Sequence, residues 1–487
     1  AAAFASRPAA VKAATVSKMP GTKTMGIYSR ISSRGASKRL TTTKYFVHSK
    51  IQSTASRQTK QGIYDYIYAN GRPLGWVNEK WFIRNRISAA KQVCLVSDDN
   101  RFSYKDAINY VTDSRGNLID PSSSAVKASL NGQKLTFTYG KAKKTVQLVK
   151  TANPNRNLHL AISAKKGPAE VASSKNHAGS SPNWNAAHRW GVESSSNSWT
   201  SGGLTLTTRL WEPRSLSLAG NGWQQVGPVM EGLTVNSGWA YSSWYRSAAA
   251  SDQLKGNLVA FNLNRLNKYQ AQYLANSSYL YNKLSLKTFA AYSQNVKVSP
   301  YIRLGHGQSL GSSKNYIYVL ANQNRLPGGK SNGFYSEEIL QLNKSDLTIN
   351  KLWTIRVDVG TSGRYFHNAA FAGDDTMYGL FHNAGFGRYE YWCLKLVGNR
   401  WQVSQVKATA SNFVKQQAGS SPVQGFSVGS GHMYLAFNNL IFKLKSDGTY
   451  EKTWKHVSNR ETEGLSADGS QLYVQLAQRG EILSGRW

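Results

Sequence analysis

No acidic residue occurs before Asp65 in this 487-residue chain. Residues 1–90 carry 16 Lys and Arg against two acids, Asp65 and Glu79, and the whole chain has 60 basic and 25 acidic side chains, a formal charge of +35. This imbalance excludes a strongly cationic partner and favours polyanions, drawn in by a long-range attraction that salt weakens. Cysteine is nearly missing too: Cys94 and Cys393 are the only two. So few thiols, so far apart, exclude a disulfide-stapled scaffold and a Cys-x-x-Cys zinc centre; both read as isolated thiols, the second inside an apolar strand. No apolar run approaches the ~18 residues a membrane span needs. His-Glu-x-x-His pairs and phosphate-binding glycine loops are lacking, as are zinc-finger, helix-turn-helix and RRM signatures. The expectation is no cofactor, no metal, no membrane span and no specific nucleic-acid partner.

What the chain does contain is β structure. Its 26 Tyr and 14 Trp argue against disorder, and Val, Tyr, Trp, Thr and Gly fall in short runs typical of strands. One phrase recurs five times: Glu231-Gly-Leu-Thr-Val, His306-Gly-Gln-Ser-Leu, His367-Asn-Ala-Ala-Phe, Gln424-Gly-Phe-Ser-Val and Glu463-Gly-Leu-Ser-Ala. A small turn and an aromatic-rich strand follow each copy, and a third apolar strand comes later. Strand, turn, strand, loop, strand is the linear signature of a propeller blade. Residues 157–487 are therefore expected to form a five-bladed β-propeller. The last blade runs out after its third strand, so an outer strand must come from elsewhere, and Leu158 to Ser163 is the expected closing strand.

Upstream, residues 1–24 are Ala, Ser, Thr and Lys with little periodicity and read as a flexible leader. The small-residue start, Ala1-Ala-Ala-Phe-Ala-Ser, fits the stub of a cleaved signal peptide and gives the expectation of a secreted, wall-associated protein. Strands then alternate around Gly26, Thr43 to His48, Gln61 to Tyr68 and Leu74 to Val77, with Asn70-Gly71 as a hairpin turn. Residues 25–90 thus read as a small barrel. The stretch Asn70-Gly-Arg-Pro-Leu-Gly-Trp-Val-Asn-Glu-Lys-Trp-Phe resembles the GW type of bacterial SH3-like domain, named for its Gly75-Trp76 pair. The resemblance implies binding to an anionic cell-wall polymer, teichoic acid or a peptidoglycan-associated chain, through Tyr45, Tyr64, Tyr66, Arg72, Trp76, Lys80 and Trp81. Residues 91–152, with an Asp113-Ser-Arg-Gly-Asn turn and a closing Tyr139-Gly140 hairpin, resemble a bacterial Ig-like domain, which implies a spacer. The overall expectation is all-β: a small SH3-like barrel, an Ig-like sandwich, then the propeller.

Aligning the five phrases gives one polar column: Glu231, His306, His367, Gln424 and Glu463. The next residue is small in four copies, Gly232, Gly307, Gly425 and Gly464, with Asn368 the exception. First strands of blades line a propeller's channel, so these five side chains are expected to ring one cavity. They then either tie neighbouring blades together or bind a polar ligand such as a glycan. Glu231 and Glu463, from blades that ring closure makes neighbours, are the candidates for a glycosidase-like acid and base. The aromatic clusters Trp239 to Tyr245 and Trp184, His188, Trp190 either stack on sugars or fill wedges between blades. The blade phrases, above all Glu461-Thr-Glu-Gly-Leu-Ser-Ala-Asp-Gly-Ser-Gln-Leu-Tyr-Val, resemble the helveticin J-like family of large secreted bacteriocins. That resemblance implies antibacterial action at the envelope of Gram-positive cells. An adhesin or lectin, or a propeller glycoside hydrolase, are the alternatives.

Overall fold

The computed structural model describes residues 15–97, 103–160, 162–164, 192–216, 226–247, 255–275, 283–322, 336–360, 362–411, 423–458 and 460–487. Strands dominate them, and the α-helix among them is Leu286–Ser293. Each recurring phrase opens the innermost strand of a four-stranded antiparallel blade. Blade 1 holds Thr234–Asn236, Trp239–Tyr245, Lys255–Asn262 and Val296–Val298. Blade 2 holds Leu310–Ser312, Tyr316–Asn322, Glu337–Asn343 and Ile349–Ile355. Asn368–Phe371, Thr376–Asn383, Arg388–Val397 and Arg400–Ala408 make blade 3. Gly425–Gly429, His432–Phe437, Leu440–Lys445 and Tyr450–Lys455 make blade 4. Blade 5 takes Thr462–Asp468, Gln471–Leu476 and Glu481–Arg486 from the end of the chain and Leu204–Trp211 from far upstream. The inner strands neighbour one another in the cycle 1–2–3–4–5–1, so the five sheets close a ring.

The wedges between sheets are filled by large side chains. Trp244, Trp353, Trp392 and Trp454 are each at most 2% exposed, and Tyr241 and Tyr245 are buried with them. Tyr241, Trp244 and Tyr245 are therefore wedge filling, while Trp239 is half-buried with Lys297 Nζ over its ring at 4.4 Å; Trp184, His188 and Trp190 lie outside the described residues. Ring closure joins the two ends of the propeller as expected, but with a different strand. Leu158 to Ser163 does not close it: Ser163–Ala164 runs parallel to the outer strand of blade 3. Leu204–Trp211 does the closing because it alternates Leu204, Leu206, Thr208, Leu210 on its buried face. The Gly202-Gly203 turn folds it back on Ser198–Ser201, giving blade 5 a fifth strand. Glu481 locks the seam. It accepts from Arg460 Nη1 at 2.6 Å, Thr208 Oγ1 at 2.5 Å and Asn197 Nδ2 at 3.1 Å, and Arg460 and Glu481 are both fully buried.

The first module is an open six-stranded antiparallel sheet in the order Val16–Lys18, Ile51–Thr59, Gly62–Ala69, Arg72–Asn78, Gly26–Ser32, Gly35–Thr42. Asn70 and Gly71 take φ of 53° and 80°, the paired positive values a two-residue hairpin turn requires. Two expectations need correcting. Residues 15–24 are not leader: Val16–Lys18 is an edge strand on Ile51–Thr59, and Gly21 O accepts the Trp81 indole N–H at 3.0 Å. Thr43–Tyr45 is a 3-10 turn, not a strand, because the Thr43 hydroxyl donates to Lys23 O and accepts from Met25 N, both at 2.8 Å, and curls the chain.

The second module does not stand free as a spacer. Gln92–Val96 lies parallel both to Ala142–Thr151 and to the outer strand of blade 2, Ile349–Ile355. Module and blade therefore share one eight-stranded sheet. Val93, Cys94 and Leu95 are all buried, as a strand covered on both faces must be. Both cysteines are free, and burial pushes the Cys94 thiol up to about 11. The first module is bolted on as well. The Asp113–Gly116 turn receives Asn85 N, Met19 N and Lys18 Nζ, and the Leu286–Ser293 helix packs on Thr43–Tyr45 within one continuous core.

Candidate functional site

The five phrases enter the ring in the same direction, so their first residues meet at one end of the axial channel. His306 Nε2 stands 3.3 Å from Glu231 Oε2. Glu463 hydrogen-bonds both Glu231 and Glu461. Gln424 Nε2 donates to Glu461 Oε1 at 3.0 Å, while its own Oε1 accepts from Gln308 Nε2 at 2.8 Å. The contact chain His306, Glu231, Glu463, Glu461, Gln424, Gln308 thus starts and ends on blade 2, and the Gln308–Gln424 bond reaches directly across to blade 4. The polar groups of the ring thus contact one another, while the His306 side chain stays partly exposed. Burial, then the charges of Glu231 and Glu461, hold the Glu463 carboxyl well above the usual carboxylate range. That direction favours the protonated form, which can donate to a neighbouring carboxylate. His367 sits beside the ring against Tyr365, at 5.9 Å between ring centres. Burial, then His382 and His306, lower its pKa, so it is neutral. Two carboxyl groups in hydrogen-bond contact are closer than the roughly 5–9.5 Å that separates the acid and base of glycosidases. No group of three or more His, Cys, Asp or Glu that could hold a metal ion occurs among the described residues.

A second column carries the inter-blade contacts. The fourth residue of the phrase is Thr234, Ser309, Ala370, Ser427 or Ser466. Thr234 Oγ1 bonds Ser312 Oγ of blade 2 at 2.8 Å, and Ser309 Oγ donates to His367 O of blade 3 at 3.3 Å. Ser427 Oγ accepts from Ala467 N of blade 5, and Ser466 Oγ accepts from Val235 N of blade 1, both at 3.0 Å. Each blade reaches the next in this way except blade 3, where Ala370 has no hydroxyl. Ser309 and Ser427 stand in Gly-x-Ser-x-Gly frames, but on inner strands with their hydroxyls committed, so neither forms a nucleophile elbow. The glycine column explains the close approach: a Cβ on Gly232 would lie 2.3 Å from Gly307 O, and one on Gly464 2.6 Å from Leu233 N. Asn368, at the same place in blade 3, is fully buried and its amide makes no hydrogen bond. The Ser/Thr column was visible in the aligned phrases; its partners, three or more blade strands away in sequence, were not.

On the first module the proposed wall-binding residues divide. Trp81 is 1% exposed, Tyr64 is buried, and Arg72 lies over the Phe289 ring of the propeller helix at 5.6 Å, so these three are packed and turned away from an outside polymer. Tyr45 is half-buried against the same core. Tyr66 and Trp76 are half-buried and meet edge to face at 5.4 Å, and Lys80 is exposed. Composition-based reading missed a run of cations. Arg30, Arg34, Lys38, Arg39, Arg57 and Lys60 are all exposed on Gly26–Ser32, Gly35–Thr42, Ile51–Thr59 and their turns. By strand register Arg30, Arg39 and Arg57 share the face that carries Tyr66 and Trp76, and Arg34 and Lys60 stand in the adjoining turns, where the Arg57 guanidinium reaches Ile31 O and Lys60 N donates to Ser33 O. The module's two acids are occupied elsewhere: Asp65 is fully buried among Ser53, Ser56 and Arg115, and Glu79 faces Arg84 and Arg115 at 3.4 and 3.6 Å.

Residues 8–82 match the GW (Gly-Tryp) dipeptide domain family. The match bears out the reading of the Gly75-Trp76 region and carries the module upstream past residue 24. A GW module is a cell-wall-binding unit, consistent with association at the cell surface. Among solved structures, the chain is similar to a gluconolactonase from Xanthomonas campestris, with 10% identity, 58% of this chain and 90% of that chain covered, and a TM-score of 0.32. Virginiamycin B lyase from Staphylococcus aureus gives 10%, 53%, 94% and 0.28 for the same quantities, and BamB from Moraxella catarrhalis 10%, 60%, 96% and 0.24. At these values none of the three bears on what this chain binds. No curated protein matches it.

Proposed function

We propose that the protein is an envelope-binding protein of the bacterial surface, held to an anionic wall polymer through the cationic face of its GW module. The observation that carries this reading is the face itself: exposed Arg30, Arg39 and Arg57 on one side of the sheet, with Arg34 and Lys60 in the adjoining turns and no exposed carboxylate in the module to compete for them. A polymer carrying a phosphate or carboxylate at every repeat engages several of these cations at once, and the half-buried Tyr66–Trp76 pair offers an apolar edge beside them. The propeller is then a rigid body carried at the surface. Its channel mouth acts as a structural tie, because its polar groups bond to one another. The resemblance of the blade phrases to helveticin J-like bacteriocins supports an antibacterial outcome for the bound protein, secreted and acting on Gram-positive cells.

The test is sedimentation of the full chain with purified Gram-positive walls, intact or stripped of teichoic acid, across a salt series. Binding that falls with salt and with stripping is expected. Equal binding to stripped and intact walls at all ionic strengths would refute the anionic-polymer reading. Viable counts of the same cells after exposure read the antibacterial part separately; unchanged counts over a broad panel remove it and leave envelope binding standing.

A further inference from the structure

The interface between blades 3 and 4 departs from the other four. Ala370 removes its hydroxyl stitch, and Asn368 replaces the glycine that lets the other inner strands close up. Ala372 follows two residues later, on the side of the chain that Ala370 presents. There the wedge opens into a cavity of about 270 Å³, lined by Tyr378, Tyr391, Cys393 and Lys407 of blade 3 and by His432 and Met433 of blade 4. A space just below the usual range of ligand-pocket volumes admits one six-membered ring with its substituents. Met433 and Cys393 are buried and give it an apolar floor, and the two tyrosines give it aromatic walls.

The charges around this space are uneven. His432 Nε2 and Lys443 Nζ both face Glu451, at 2.9 and 3.5 Å. Asp447 caps its own turn by accepting from Thr449 N at 2.9 Å. Lys407 makes one long hydrogen bond, Nζ to Ser446 O at 3.4 Å, and an ammonium has three hydrogens to give. Tyr391 donates to the same carbonyl at 3.0 Å, which fixes its ring as a wall. We propose that this wedge binds a small carboxylate carried on a single six-membered ring, with the ring between the tyrosines and the carboxylate on Lys407. An aromatic acid and an acidic pyranose share that chemistry.

The experiment uses the full chain. Benzoate and N-acetylmuramate are titrated by calorimetry, with acetate as charge without ring, and benzyl alcohol and N-acetylglucosamine as rings without charge. Alkylation of Cys393 by iodoacetamide is followed in parallel by peptide mass spectrometry, with Cys94, which lies outside the cavity, as internal reference. At least one ring acid is expected to bind and to slow modification of Cys393 but not of Cys94, and the better of the two tells the aromatic from the sugar source. Lys407→Gln should weaken that binding about tenfold or more, and Lys407→Arg should restore most of it. The proposal is overturned if neither ring acid binds at millimolar concentration, if the uncharged rings or acetate bind as well, or if Lys407→Gln binds unchanged. Should Cys393 resist alkylation altogether, the calorimetric arms decide alone.

Discussion

Replacing Glu463 with Gln should make the propeller more stable at neutral pH than the unaltered protein, and the gain should vanish in acid. In the unfolded chain this carboxyl titrates near the ordinary glutamate value. In the folded chain burial, with Glu231 and Glu461 beside it, raises it well above that value. Between the two values the native state holds a proton that the unfolded chain has released, so stability falls as pH rises. Its favourable contribution is complete below the ordinary value and is lost as pH climbs through the folded one. The slope is at most about 1.4 kcal/mol per pH unit, so from pH 5 to 7 the group removes up to about 3 kcal/mol. Glutamine resembles the protonated acid: its amide still donates toward Glu231 and has no proton to lose. For a unit of this size each kcal/mol moves Tm by roughly 2 °C, so the variant should gain up to about 6 °C over those two pH units. Glu337 and Glu212, also raised by burial and the latter to about 7, tilt both proteins equally and cancel in the difference. Calorimetric melting of both proteins from pH 4 to 8 is the assay. Parallel Tm profiles would show that Glu463 is ionised in the fold, and the self-satisfied channel ring would have to be abandoned.

Arg460→Met should destabilise the propeller by about 3–5 kcal/mol, because Glu481 is left charged and buried at the closing seam; adding Glu481→Gln should recover much of the loss in the same melt. Ser466→Ala should cost about 1–3 kcal/mol by stranding the Val235 N–H between blades 5 and 1, read by denaturant unfolding. Changing Arg30, Arg34, Arg57 and Lys60 together to Gln should weaken wall binding and flatten its salt dependence without moving Tm by more than a few degrees. Trp81→Ala should instead cost about 3–5 kcal/mol of stability, and any loss of wall binding it shows should track unfolding.

Much of the architecture was legible because it repeats. Five copies of one phrase fix five inner strands, and period-two alternation within Met433-Tyr-Leu or Leu472-Tyr-Val marks the strands beside them. The polar column followed from the same alignment. What stayed hidden was whatever depends on pairing across long stretches of chain. Leu204–Trp211 closes the ring only because the strand Glu481–Arg486, some 270 residues downstream, leaves an edge open for it. The exposed strands Gly35–Thr42 and Ile51–Thr59 carry Arg, Lys, Ser and Thr with little apolar alternation, so the cationic face they build was visible only as excess charge. Gln92–Val96 looked like the start of a separate module; burial between two sheets from distant segments makes it the joint to blade 2. Whether Glu231 and Glu463 faced a ligand or each other was likewise beyond the sequence. Composition and period set the strands and their faces, while distances among side chains from different blades are set only when the ring closes.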